Sequence, residues 1–301
     1  MNSSLRFAAI DIGSNAIRLF FSRIIENELK PPFFIKESLI RMPLRLGKDS
    51  FNAGEISEKN CKKFLNTMIG FKNLMDAYNP INYRACATAA MRNAKNGKEL
   101  ARIVESKAGI KIDIINGAEE AAMILSKNIN QYLKKEKSYL HIDVGGGSTE
   151  LTSIVNGQIK SSKSFSIGSV RLLQGKVRKK SWNDMKDWIK SNTNSVTKIK
   201  SIGSGGNINK IASMLGKKKG ENIPYKNIKI LLKKIEVKDF HQRITQFGLR
   251  PDRADVIIHA GEIYLNCMNW SKSQKILVPQ SGLADGIIEQ LYNNYKSVYK
   301  S

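Results

Sequence analysis

The sequence predicts an α/β protein of two related halves flanking a central ligand cleft. Three observations predict this. Residues 5–133 run strands first, then alternating helices and strands. The same order restarts at Ser138. Finally, Ala9-Ile10-Asp11-Ile12-Gly13-Ser14 aligns with His141-Ile142-Asp143-Val144-Gly145-Gly146, 132 residues later. The expected halves are residues 1–125 and 126–301. The boundary region, 125–137, shows no flexible linker, Lys134–Lys137 reading as a charged helix end, and is the expected hinge for closure of the two halves.

The elements follow in order. Leu5–Ile12 and Ile17–Ile25 read as strands around a tight Gly13-Ser14-Asn15 turn, and Phe34–Ile40 as a third. Ser57–Tyr78 is an amphipathic helix, with Cys61, Phe64, Leu65, Met68 and Met75 at helical spacing and Ser57 as N-cap. Strand Ile81–Ala87, helix Lys98–Lys107, strand Lys111–Ile115 and a long helix Ala118–Leu133 complete the first half. The second half has strands Ser138–Asp143, Thr149–Val155 and Gln158–Ser166. Helices are expected at Trp182–Ser195, Ile208–Leu215, Arg253–Asn269 and Leu283–Tyr295, with short strands at Lys198–Ile202 and Gln274–Val278.

Composition narrows the function. The 301 residues carry 50 Lys and Arg against 26 Asp and Glu, a net charge of +24, and 41% are apolar. That apolar share excludes a disordered chain. The charge favours polyanionic partners, although a Lys-rich soluble surface explains it as well. No apolar run reaches the ~20 residues of a membrane span, and no signal peptide is read at the N-terminus. Cys61, Cys86 and Cys267 are scattered, which fits a reducing cytoplasm.

Three small-residue loops carry the chemistry. Asp11-Ile12-Gly13-Ser14-Asn15 follows a strand and allows backbone amides to approach an anion, though read alone it is also an ordinary hairpin turn. Asp143-Val144-Gly145-Gly146-Gly147-Ser148-Thr149-Glu150 is a stronger phosphate cradle, because three consecutive glycines cost backbone entropy that an ordinary turn would avoid. Gly203-Ser204-Gly205-Gly206-Asn207 precedes a helix, either as an anion site or as a plain connection. Asp11, Asp143 and Glu150 lie on these loops. Glu119 and Glu120 open a helix, where acidic residues also serve its dipole. Carboxylates beside phosphate cradles suit Mg²⁺ or a general base. Lys176, Arg178, Lys179 and Lys180, then Lys217–Lys219, then Lys233 and Lys234 form basic clusters, read as solvated surface or as a polyanion track. The three histidines show no metal-ligand spacing and read as structural, the three tryptophans as helix packing, and Cys86 as a core residue.

Together these residues resemble the exopolyphosphatase / guanosine pentaphosphate phosphohydrolase (Ppx/GppA) family. The resemblance rests on Asp11–Asn15, Ala87–Arg92, Asn116–Ala121, Asp143–Glu150, Gly168–Leu172, Gly203–Gly206, Arg253–Asp255 and Gly282–Gly286, eight motifs in order. It implies two actin-like (ribonuclease H-like) domains in the short, two-domain form, without the C-terminal helical region of longer members. It also implies roles. The catalytic residues would be Glu120, the general base that activates water, Arg92, which would bind the terminal phosphate, and Glu150, which would help place that water. Asp143 and Glu150 would hold the metal. Ser14, Asn15, Gly145, Gly146, Gly147 and Ser148 would bind phosphate. The implied cofactor is Mg²⁺, with Mn²⁺ as a substitute and K⁺ as a stimulating ion. The implied substrate is inorganic polyphosphate, or guanosine pentaphosphate at its 5′ γ-phosphate. A homodimer is implied; nucleic acid and membrane are not. An ATP-dependent kinase of the same superfamily and a non-catalytic polyphosphate or alarmone sensor are the competing readings. The sensor is disfavoured because Glu120, Asp143 and Glu150 are all present.

Overall fold

The computed structural model describes residues 4–27, 30–125, 129, 131–193 and 199–299. The chain divides into two compact units, Met1–Asn116 with Leu283–Ser301, and Gly117–Gly282.

In the first unit, β1 (Ser4–Ile12), β2 (Ile17–Asn27) and β3 (Lys30–Met42) form an antiparallel meander. After α1 (Leu46–Ala53) and α2 (Glu58–Tyr78), β4 (Asn82–Ala87) pairs parallel to β1. Helices α3 (Ala89–Asn93) and α4 (Gly97–Ala108) lead to β5 (Ile112–Ile114), giving the strand order β3-β2-β1-β4-β5. A central strand is covered on both faces, so Phe7–Ile12 reads as a continuous apolar run broken only by Asp11. Phe64, Met68, Phe71 and Met75 form the buried stripe of α2. Ser57 does precede α2, but its hydroxyl donates to Asp49 rather than capping the helix. Phe64 is fully buried, so Phe64→Ala should lower unfolding free energy by about 3–5 kcal/mol in urea titrations. A loss below about 1 kcal/mol would mean the stripe is loosely packed.

The second unit opens with α5 (Gly117–Ile124) and repeats the meander as β6 (Ser138–Val144), β7 (Thr149–Val155) and β8 (Gln158–Phe165). There follow α6 (Ser169–Leu173), α7 (Lys179–Thr193), β9 (Ile199–Ser204) and α8 (Gly206–Met214). Next come β10 (Asn222–Pro224), α9 (Tyr225–Glu236), α10 (Phe240–Phe247), α11 (Pro251–Ala254), α12 (Ile257–Trp270) and β11 (Lys275–Leu277). The sheet order is β10-β11-β9-β6-β7-β8. Strands β8-β7-β6-β9-β11 therefore repeat the order and the directions of β3-β2-β1-β4-β5. The sequence repeat is thus a repeat of topology, and this is the α/β, actin-like architecture expected. The core of this unit joins Leu140, Ile142 and Leu151 of the sheet to Ile208, Ile228, Ile257 and Tyr264 of the helices.

Several expectations differ from the structure. The last helix, α13 (Leu283–Tyr299), packs on β1 and β4 and so belongs with the first unit. Helix α5 packs on β7 and β8, which puts the division at 116/117 rather than 125/126. The helix expected over 118–133 is described only to Ile124, and Lys134–Lys137 is a turn rather than a helix end. The expected hinge at 125–137 lies partly outside the described residues, as do Ser195 and Lys198 of the expected helix and strand. The helix expected over 253–269 is two helices, because the chain turns at Asp255 and the Val256 amide returns to the Arg253 carbonyl. None of the described helices is long and apolar enough to cross a membrane.

Candidate active site

The two sheets place different chemistry at equivalent positions. In the first unit Asp11 of β1 sits opposite Arg18 of β2, and they form an ion pair at 2.6 Å. In the second unit Asp143 of β6 sits opposite Glu150 of β7. Both pairs lie at the 132-residue offset. One copy is thus self-neutralised, and the other presents two carboxylates. Glu120, from the first turn of α5, makes a third. The three offer oxygens that all lie within 4.8 Å of one another. They are buried, at 7%, 7% and 0% exposure for Glu120, Asp143 and Glu150. Glu119, its neighbour, is exposed, so burial separates the two glutamates that open the helix.

Three like charges at this spacing repel by about 3 kcal/mol per pair at an effective dielectric near 20. A bound cation offsets that cost. An all-oxygen donor set suits a hard divalent ion, so the cluster can hold a metal.

Hydroxyls surround the carboxylates. Ser148 and Ser164 both donate to Glu150 Oε1, at 2.7 and 2.8 Å. Ser204 donates to Asp143 Oδ1 at 2.8 Å, and His141 Nε2 lies 2.9 Å from Ser204 Oγ. Tyr264 donates its phenol proton to the Ser204 carbonyl. Burial pushes the His141 imidazole down to about 4. Burial, then the charge of Asp143, holds the Tyr264 phenol well above its usual value. Ser164 and Tyr264 are not among the residues singled out from the sequence; His141 reads there as structural, and Ser204 only as part of the third glycine loop. Strand register is the signal that finds two of them: Ser164 is opposite Glu150, and Ser204 opposite Asp143. Gly205 follows at φ +103°, where a Cβ would lie 3.0 Å from Asp143 Oδ1. The third glycine loop therefore abuts the carboxylates.

The glycine loop is oriented by α6. The Gly145 carbonyl accepts from Ser169, the Gly146 carbonyl from Val170 and Arg171, and the Gly147 carbonyl from the Arg171 guanidinium at 2.9 Å. No peptide among the described residues is cis. In a trans peptide the N–H points opposite to the C=O. The amides of Gly146, Gly147 and Ser148 consequently point away from α6, side by side. Such a row of amides attracts an anion.

Ser14, Asn15 and Arg92 lie in the first unit. The Ser14 carbonyl accepts from Gly47, the Asn15 carbonyl accepts from Arg45, and Arg92 donates to the Ile115 carbonyl at 2.6 Å. They sit where β1 and β4 end, the edge at which open α/β sheets bind ligands. Asp11 is held by Arg18, and is absent from the carboxylate cluster. The basic residues Arg178–Lys180, Lys233 and Lys234 are exposed. The second unit, Gly117–Gly282, holds 29 of the 50 Lys and Arg but 13 of the 26 Asp and Glu.

Comparison with known proteins agrees with this architecture. The model of the Ppx/GppA phosphatase family matches residues 38–294. Over 320 residues the chain is 28% identical to the bifunctional 3-dehydroquinate synthase/phosphatase of Fusobacterium nucleatum, covering 97% of this chain and 47% of that protein. It is 24% identical over 168 residues to Exopolyphosphatase 1 of Mycobacterium tuberculosis, covering 56% of this chain and 48% of the relative. The chain thus spans about half the length of these curated relatives. Its fold is similar to the crystal structure of the Aquifex aeolicus Ppx/GppA family member, with TM-score 0.75, 24% identity and coverage of 97% and 99% of the two chains. It is similar also to an exopolyphosphatase from Cytophaga hutchinsonii, with TM-score 0.80, 21% identity and coverage of 96% and 98%.

Proposed function

The chain belongs to the Ppx/GppA phosphatase family, and from that membership we propose that it is an exopolyphosphatase using Glu120 to activate water. The observation that carries this reading is the buried carboxylate cluster of Glu120, Asp143 and Glu150. It stands in the chain beside a loop whose amides are oriented together.

In the proposed reaction Glu120 accepts a proton from water as the water oxygen attacks the terminal phosphorus. The P–O bond to the next phosphate breaks, and the shortened chain leaves carrying that oxygen. Asp143 and Glu150 would hold Mg²⁺, their buried all-oxygen donor set fitting a hard ion. When bound, that ion neutralises charge on the phosphate oxygens. The amides of Gly146, Gly147 and Ser148 bind phosphate oxygens and need no reorganisation as charge develops. Ser14, Asn15 and Arg92 are proposed to contact the terminal phosphate. Phosphoryl transfer asks mainly for positioning and charge neutralisation, and these groups supply both.

The charge excess of the second unit favours polyphosphate over guanosine pentaphosphate. Phosphate release should be measured from long polyphosphate, short polyphosphate, guanosine pentaphosphate and ATP, with Mg²⁺ and with chelator. Release from polyphosphate, abolished by chelator, is the expected result. Release only from guanosine pentaphosphate would overturn the substrate and retain the mechanism. Tight binding without release from any substrate would make the protein a sensor. If polyphosphate follows the exposed lysines, its KM should rise steeply between about 50 and 200 mM salt. A KM indifferent to salt would remove those lysines from the binding path.

A further inference from the structure

Ser204 and His141 have no part in the reaction above, yet their hydrogen bonds have a definite order. A serine hydroxyl has one proton, and that of Ser204 goes to Asp143 Oδ1 at 2.8 Å. The 2.9 Å contact between His141 Nε2 and Ser204 Oγ then requires the imidazole to donate. Nε2 therefore carries the ring proton and Nδ1 a lone pair. Nδ1 is buried and has no hydrogen-bond partner among the described residues, so a proton placed there would be unsatisfied. His141 and Ser204 are fully buried, and no solvent competes for this chain of donors. Strand pairing fixes its geometry. Ser204 is in register with Asp143 across β9 and β6, and His141 lies two residues before Asp143 on the same face of β6. On the other side of Ser204, Tyr264 donates to its carbonyl.

We infer that His141 and Ser204 are positioning residues for the cation site. His141 orients the Ser204 hydroxyl, and that hydroxyl fixes the plane of the Asp143 carboxylate. The inference rests on the metal-site reading of Asp143 proposed above. Donors behind a metal-binding carboxylate commonly change metal affinity 10- to 100-fold when removed.

The test is Mn²⁺ binding to the full chain without substrate, followed by the electron paramagnetic resonance of free Mn²⁺. Ser204→Ala should weaken binding about 10- to 100-fold, and Ser204→Thr, which keeps the hydroxyl, should restore most of it. His141→Leu should weaken binding, and the double variant should be no weaker than Ser204→Ala, since both act along one path. Ser204→Ala binding Mn²⁺ like the parent, with the fold intact by circular dichroism, overturns the inference. Asp143→Asn serves as the control. If the parent binds Mn²⁺ no better than Asp143→Asn, the metal-site reading itself falls, and the inference falls with it. A second measurement needs no variant. The ¹⁵N resonances of His141 should report the Nε2–H tautomer, and an Nδ1–H tautomer would overturn the hydrogen-bond order.

Discussion

Glu120→Gln is expected to lower phosphate release by about 10²–10⁴-fold, the usual worth of a positioned general base. The substitution keeps the shape of the side chain and removes the proton acceptor. Glu120 is buried, at 7% exposure, and glutamine matches it in shape, so the melting temperature should change little or rise. Removing one of three crowded carboxylates relieves repulsion. The same variant separates two roles. If Glu120 is the base, Mn²⁺ affinity survives while turnover is lost. If Glu120 is a third ligand, both are lost. The 4.8 Å spread of the cluster is compatible with either assignment, so binding and turnover must be measured on one preparation. Undiminished turnover would remove Glu120 from the mechanism.

Much of the fold was legible because the signals were local. The β1–β2 hairpin and its copy β6–β7 could be read from strand, glycine and strand, and the 132-residue offset carried over from sequence to register. What that offset meant chemically was not legible. Position by position it pairs Arg18 with Glu150, a change of sign that matters only once each is seen opposite an aspartate. The service of Ser164 and Ser204 to the carboxylates was hidden for a similar reason, Ser204 being read only within the third glycine loop. They are distant in sequence from the carboxylates they serve, and only cross-strand register brings them there. Helix α9 was missed although its pattern was readable: Ile228, Leu231, Leu232 and Ile235 recur at helical spacing, and all are buried. Its exposed lysines drew the reading toward charge instead. The swap of α13 into the first unit was not readable at all, since an amphipathic helix shows that it packs but not against which sheet.

The second large effect is expected at Gly168, which precedes α6 and carries no side chain of its own. Its φ is −145°, an extended conformation open to any residue. On backbone grounds alone alanine would stabilise by about 0.4–1 kcal/mol, through the unfolded chain. The surroundings reverse this. A Cβ there would meet the Gly146 carbonyl oxygen at 2.4 Å and the carbonyl carbons of Gly146 and Gly147 at 2.5 Å each. These are backbone atoms, so no rotamer change relieves the overlap, and the glycine loop itself must move. Overpacking of this kind costs about 1–3 kcal/mol, and a displacement near 1 Å in a positioning element costs about 10²-fold in rate. Gly168→Ala should therefore fold, melt lower, and lose about 10²-fold in kcat/KM, with Mn²⁺ affinity much less affected because the carboxylates sit on β6, β7 and α5. Gly70→Ala is the control: nothing lies within 4 Å of a Cβ there, and in the interior of α2 alanine should add about 0.5–1 kcal/mol. Full kcat/KM in Gly168→Ala would show that the row of amides does not place the phosphate, and the proposed cradle would have to be moved elsewhere in the protein.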